Sequence, residues 1–326
     1  MQRRTFLQLA GASIAAGLLA GCASHEAAAT RRGSPAGLDL ATFHASRRFA
    51  RTRYGNIAYI ERGEGQVALF LHGFPLNGFQ WRGVLPRLAP YRRCIAPDWL
   101  SLGHTEVAAG IAVTPQAQAD MLAGFMDRLD IAQADLVAND SGGMAAQLFA
   151  VAYPGRVRSL LLTDCDTEID SPPAAVVEVI EQARKGRFVP DNLAPQLADK
   201  SLARSANGIA GLCYSKPGSP TDEAIDCYFR PVMATPERIG LINDYCMSFA
   251  PNPLAGIEPR LRQLRVPAKI LWGEAEGIFA KAAPGYLDRV LPLSHGVRMI
   301  PGAKLFFPEE YPEIVAEEAR RLWGVG

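Results

Sequence analysis

Net charge is what this sequence has least of: 34 basic and 33 acidic side chains leave +1 at neutral pH. A chain so balanced has no field to hold a polyanion, which argues against a nucleic-acid role. None of its six cysteines is paired as C-x-x-C, which argues against structural zinc. The apolar run from Phe6 to Ala20 falls short of the about 20 residues a spanning helix needs. Internal repeats and low-complexity tracts are missing from the mature domain. With 48% hydrophobic residues, disorder as the main state is excluded. The 326 residues allow about two domains, or one large α/β domain with an insertion. The 30 glycines and 24 prolines favour tight connections over long helical bundles.

The first residues read as an address. Arg3-Arg4-Thr5-Phe6-Leu7 opens a positive, then apolar, then small-residue pattern that describes an export signal. The arginine pair resembles a twin-arginine signal, and Leu19-Ala20-Gly21-Cys22 resembles a bacterial lipobox. Residues 1–21 are therefore expected to be a signal peptide. Cys22 is expected to carry lipid, giving a protein exported to the periplasm or cell envelope and held at a membrane only by that lipid. Cleavage near Ala27-Ala28-Ala29 without lipidation is the alternative. Residues 22–46 read as a tether. Among Cys213, Cys227 and Cys246, one disulfide or isolated buried thiols both fit.

Beyond the tether the chain alternates strand and helix. Arg53–Glu61 reads as an edge strand. Val67–Leu71 is a continuous apolar run, as in a strand buried on both faces. Cys94–Asp98, Asp135–Ala138, Val157–Thr163, Ala268–Trp272 and Val297–Ile300 read as further strands. Trp81–Leu88, Pro115–Leu129, Gly142–Tyr153 and Pro308–Trp323 read as helices. This rhythm predicts an α/β fold with a mostly parallel sheet flanked by helices. Residues 47–165 and 254–326 form the expected core. Residues 166–253 break the rhythm and read as an inserted helical cap.

Ligands of such sheets bind outside the carboxyl ends of the strands. One end reads His72-Gly73-Phe74-Pro75. Another reads Ala138-Asn139-Asp140-Ser141-Gly142-Gly143, where small residues let strand and helix crowd into a sharp turn. That is the sequence of a nucleophile elbow. These motifs resemble an α/β-hydrolase of the haloalkane dehalogenase and epoxide hydrolase branch. His72–Pro75 resembles its HGxP oxyanion loop, and Asp98–Thr105 its DLxGxGxS loop with Ser101 in place of a glycine. Trp272-Gly273-Glu274-Ala275-Glu276 resembles the loop of the acid, and Pro301–Phe306 the loop of the histidine.

With Ala138 in the first glycine position of the elbow, Asp140 takes the nucleophile position; Ser141 is the competing choice, and a helix N-cap the structural one. A carboxylate nucleophile attacks sp³ carbon, with the N–H groups of Phe74 and Ser141 as the implied oxyanion hole. The histidine position falls on Leu305, which takes no proton. His104 near the site mouth is a weak substitute, and His295 lies before the last strand. The acid is either Glu276 or Asp164. Tyr214, Tyr228 and Tyr245 in the cap are the candidate acids for an opening epoxide. No halide-holding Trp follows Asp140. The resemblance implies a hydrolase of small lipophilic molecules (epoxide, ester or alkyl halide) with an altered triad and no cofactor or metal. A non-catalytic exported binding protein and a non-hydrolytic lyase or isomerase remain as alternatives. Oligomeric state is open.

Overall fold

The computed structural model describes residues 37–326, so the signal segment and Cys22 lie outside the described residues. Nine strands build one sheet: β1 Arg48–Thr52, β2 Gly55–Arg62, β3 Val67–Leu71, β4 Arg93–Pro97, β5 Glu106–Val107, β6 Ala134–Asn139, β7 Val157–Thr163, β8 Ala268–Gly273 and β9 Ser294–Ile300. Their order is β1-β2-β4-β3-β6-β7-β8-β9, with β5 pairing β2. From β4 through β9 every pairing is parallel. Every residue of β3 and of β6 is buried. Such strands have no solvent face to mark with polar residues, so they read as unbroken apolar runs. Each large apolar side chain sealed there contributes about 1.5–3 kcal/mol.

Four details depart from the sequence reading. The strand expected at the edge, β2, lies one place in; the outer strand is β1, whose sequence Arg-Phe-Ala-Arg-Thr is polar because most of it is exposed. Residues 40–45 are not tether: Asp39 caps a helix Leu40–Ala45, and Phe43 packs edge-on against Phe79 with ring centroids 4.9 Å apart. Trp81 ends a 3-10 turn and the helix that follows is only Leu85–Leu88. The last helix is split into Phe307–Glu310 and Pro312–Trp323, since Pro312 cannot continue the preceding turn.

Nine helical segments lie between β7 and β8, and the first eight of them, from Glu168–Asp170 to Pro236–Met247, form the cap. The five described cysteines are all free and buried. No described helix is long and apolar enough to cross a membrane. The cap is pinned to the segment after β9. Glu309, almost fully buried, pairs with Arg82 of the core and accepts the hydroxyls of Tyr214 at 2.7 Å and Tyr228 at 2.9 Å. Its neighbour Glu310 takes the N–H groups of Ser215 and Lys216.

Candidate active site

Asp140 stands between β6 and the helix Ser141–Ala152 at φ 54°, ψ −130°. Such a conformation is costly for a residue with a Cβ and persists only where the surroundings impose it. Two crowded contacts do so. A Cβ on Gly142 would lie 2.4 Å from the Leu71 carbonyl oxygen, and one on Gly143 would lie 2.3 Å from Cys165 Cβ. Glycine lets the helix start close under the sheet ends. Asp140 makes no side-chain capping bond to its helix. Its Oδ2 instead accepts the N–H of Phe74 at 2.6 Å, and the Ser141 N–H also bears on the carboxylate. Burial, with Glu276 nearby, pushes its pKa up to about 7.

The oxyanion loop is held by groups that sequence motifs did not single out. Gln80 accepts the Gly73 N–H at 2.9 Å and donates to Asn139 Oδ1 at 2.6 Å. Asn139 Nδ2 donates to the carbonyls of Thr163 and Leu305, each at 3.0 Å. One buried amide pair thus ties the loop, the elbow, β7 and the turn after β9. His72 is a peg: its Nε2 accepts the Trp99 N–H at 3.1 Å, and Nδ1 lies 3.0 Å from the Gly73 carbonyl. Burial drives its pKa down to about 3, so the ring is neutral.

A cavity of about 960 Å³, counted with its open mouth, rises from Asp140 into the cap. Its wall is mostly apolar, including Phe74, Val176, Val179, Phe188, Leu193, Ile209, Leu212 and Phe249; Asp140, Ser141, Asp166, Asn192, Gln196 and Asn207 are its polar members. Leu305 lines it as well, where the histidine was expected. No described histidine lines it. His104 is drawn to a pKa of about 4 by burial and by Arg47, with its ring 5.9 Å from that of His44. His295 lies at the start of β9, the opposite end of a parallel strand.

The other expected site residues divide. Asp164, fully buried at φ 24°, accepts the Gly273 N–H on Oδ1 at 2.9 Å, while Oδ2 finds no partner among the described residues. Glu276 is occupied within its own loop, taking the N–H groups of Ile278 and Phe279. Burial raises both pKa values. Tyr214 and Tyr228 do not line the cavity; their hydroxyls are committed to Glu309. Tyr245 does not line the cavity either, but it is buried beside it, its ring against Phe74 and Phe249, and its hydroxyl is unpaired among the described residues. Asp166, passed over in the sequence, lines the cavity. Among the described residues no three His, Cys, Asp or Glu side chains are grouped as metal ligands.

Comparison with known proteins agrees with this architecture. A family model described as alpha/beta hydrolase fold matches residues 67–204. A 2-hydroxymuconate semialdehyde hydrolase of Pseudomonas sp. (strain CF600) is 45% identical over 105 residues, 31% of this chain and 37% of that protein. The aligned stretch thus spans little more than a third of the first curated relatives. Epoxide hydrolase 3 of Mus musculus is 26% identical over 271 residues, covering 77% of this chain and 68% of that protein. Haloalkane dehalogenases match too. Among solved structures, the epoxide hydrolase CorEH superposes with a TM-score of 0.69 at 20% identity, covering 85% of this chain and 98% of that one. The parallel sheet, the strained turn after its central strand and these matches agree, and the chain has the α/β-hydrolase fold.

Proposed function

We propose that the chain is a hydrolase of small lipophilic substrates (epoxides, esters or alkyl halides) in which Asp140 is the nucleophile and the usual charge relay is altered. One observation carries this reading: an oxygen of the Asp140 carboxylate already occupies the loop's N–H donors, 2.6 Å from the Phe74 nitrogen. When an aspartyl ester is hydrolysed, negative charge develops on an oxygen of the aspartate itself, so donors fixed on that oxygen stabilise the transition state. A serine nucleophile would instead need the donors free for the substrate's oxygen. Ser141 also has neither the positive φ nor a described base on its buried Oγ.

In the first half-reaction the free Asp140 oxygen attacks carbon, and the carbon–halogen or carbon–oxygen bond breaks. For an epoxide, the Tyr245 hydroxyl is the proton source for the opening oxygen. The mostly apolar cavity wall selects lipophilic substrates through burial of their surface. Matched relatives whose names describe epoxide hydrolysis and dehalogenation support the same substrate classes.

The experiment is covalent labelling by a reactive epoxide and an alkyl halide, read by intact mass and peptide mapping. Label on Asp140, lost in Asp140→Asn and kept in Ser141→Ala, is the expected result. The reverse pattern would make the protein a serine hydrolase. One observation favours a second reading, a binding protein on this scaffold: Leu305 fills the histidine position. Absence of label with every reagent that fits the cavity would support it.

We also propose export and lipidation at Cys22, on the strength of Arg3-Arg4 and Leu19–Cys22. A mature protein whose N-terminus is Met1 would overturn this.

A further inference from the structure

Four carboxylates gather at the ends of β6, β7 and β8: Asp140, Asp164, Asp166 and Glu276. The groups that bear most on them are backbone N–H groups, the Ser171 hydroxyl and other carboxylates. They are not equivalent. Asp164 is sealed at zero exposure, and a Cβ on Gly273 would lie 3.1 Å from its Oδ2. Glu276 is held by Ile278 and Phe279. Neither lines the cavity; Asp140 and Asp166 do.

Asp166 is also fixed in place. Gln147 Nε2 donates to its carbonyl at 2.8 Å, and Cys165 packs on Gly143 at the start of the elbow helix. The Asp140 N–H donates to the Asp164 carbonyl at 2.8 Å. The segment 164–166 is thereby clamped alongside the elbow. Among the described residues the one side-chain partner of the Asp166 carboxyl is Ser171 Oγ, at a long 3.3 Å, which leaves acceptor capacity towards the cavity.

We propose that Asp166 is the general base that activates water in the second half-reaction, in the role left open by Leu305. This rests on Asp140 being the nucleophile. The water oxygen bonds to the ester carbonyl carbon of Asp140, and one water proton passes to the Asp166 carboxylate. The tetrahedral intermediate collapses, the bond from that carbon to the ester oxygen that Asp140 gave to the substrate breaks, and the leaving alkoxide takes the proton from Asp166, while the second water proton stays on the Asp140 carboxyl until it is released. Asp140 keeps one oxygen from water. The step is redox-neutral and needs no further reactant.

The test separates the two half-reactions with an aryl epoxide such as styrene oxide. Formation and decay of the adduct on full-length protein are followed by intact mass for wild type, Asp166→Asn and Asp166→Glu. The expected result is adduct formation in Asp166→Asn within about threefold of wild type and decay slowed ~10²-fold or more. Asp166→Glu should recover part of the decay rate, which a purely structural role would not explain. A single turnover in ¹⁸O-water should place the label in the Asp140 peptide. Adduct decay at the wild-type rate in Asp166→Asn overturns the inference, as does ¹⁸O in the Asp166 peptide. If Asp166→Asn does not fold, Asp166→Ser reads the same split. Failure of wild type to form any adduct on Asp140, with no turnover, instead overturns the nucleophile assignment and the inference with it.

Discussion

The backbone N–H of Asp140 donates to the carbonyl of Asp164 at 2.8 Å, and both residues sit at positive φ, 54° and 24°. Two strained turns therefore brace one another at the ends of adjacent parallel strands. Each costs on the order of 1–3 kcal/mol, recovered from the surrounding packing. The brace also leaves Asp164 Oδ2 buried and unpaired among the described residues. An unpaired buried acceptor is costly, and a side-chain N–H brought to it would relieve that cost.

Leu305→His should supply that donor. Its side chain would enter the cavity already lined by Leu305 and gain Asp164 as orienting acid. The expected result is an Asp140 adduct at least about tenfold shorter-lived, within the usual range of general-base effects. Adding Asp164→Asn should remove the gain. Adduct lifetime by intact mass checks both.

Tyr245→Phe should separate substrate classes. The hydroxyl is buried at the site without a described partner. Its loss should slow labelling by epoxides ~10²-fold, because the opening oxygen needs a proton. Labelling by alkyl halides should hardly change, because halide leaves without one. Equal effects on both reagents would exclude the acid role.

Asp140 has its pKa lifted to about 7 by burial. Labelling should therefore rise with pH through about 7 as the carboxylate ionises. Stability should run the other way. Between the ordinary aspartate value of 3.8 and about 7 the native state holds a proton that the unfolded chain has released. The stabilisation is complete below that window and lost as pH rises through it. It amounts to a few kcal/mol at most, at about 1.4 kcal/mol per pKa unit. Asp166 and Asp164 are raised too and add slope of the same sign. The readout is thus the difference in urea midpoint between wild type and Asp140→Asn at about pH 4 and again just above about pH 7, the two ends of that window.

Gly142→Ala should be among the most damaging single changes. The new methyl would meet the Leu71 and His72 carbonyl oxygens at 2.4 and 2.6 Å, both backbone atoms that cannot swing away. We expect a loss of about 3 kcal/mol or more. Denaturant unfolding checks it.

Much of this was readable in advance because strands such as β3 and β6 are buried on both faces and announce themselves as apolar runs. The elbow was readable because Ala138, Gly142 and Gly143 must be small for steric reasons. The outer strand β1 was missed since an exposed strand of arginine and threonine carries no apolar alternation. Tyr214 and Tyr228 looked equivalent to Tyr245. Only the position of Glu309, distant in the chain, separates them. In the sequence Asp166 reads as the first residue of the insertion. An Asp-x-Asp closing a buried strand was the available signal, but which of the two carboxyls meets the cavity is decided by backbone direction after Thr163.

The Arg82–Glu309 contact joins residues 227 positions apart. Tyr214 and Tyr228 complete that cluster from the cap. During synthesis the cap is therefore made long before the carboxylate that fastens it. Non-local contacts form late, because loop closure must precede them. A chain stopped before Glu309 would carry the elbow, the oxyanion loop and all four site carboxylates, yet would leave Arg82 and two tyrosine hydroxyls without their common partner. Ribosome-released fragments of that length should be protease-sensitive in the cap first, and the site should gain its walls only when the last two helices dock.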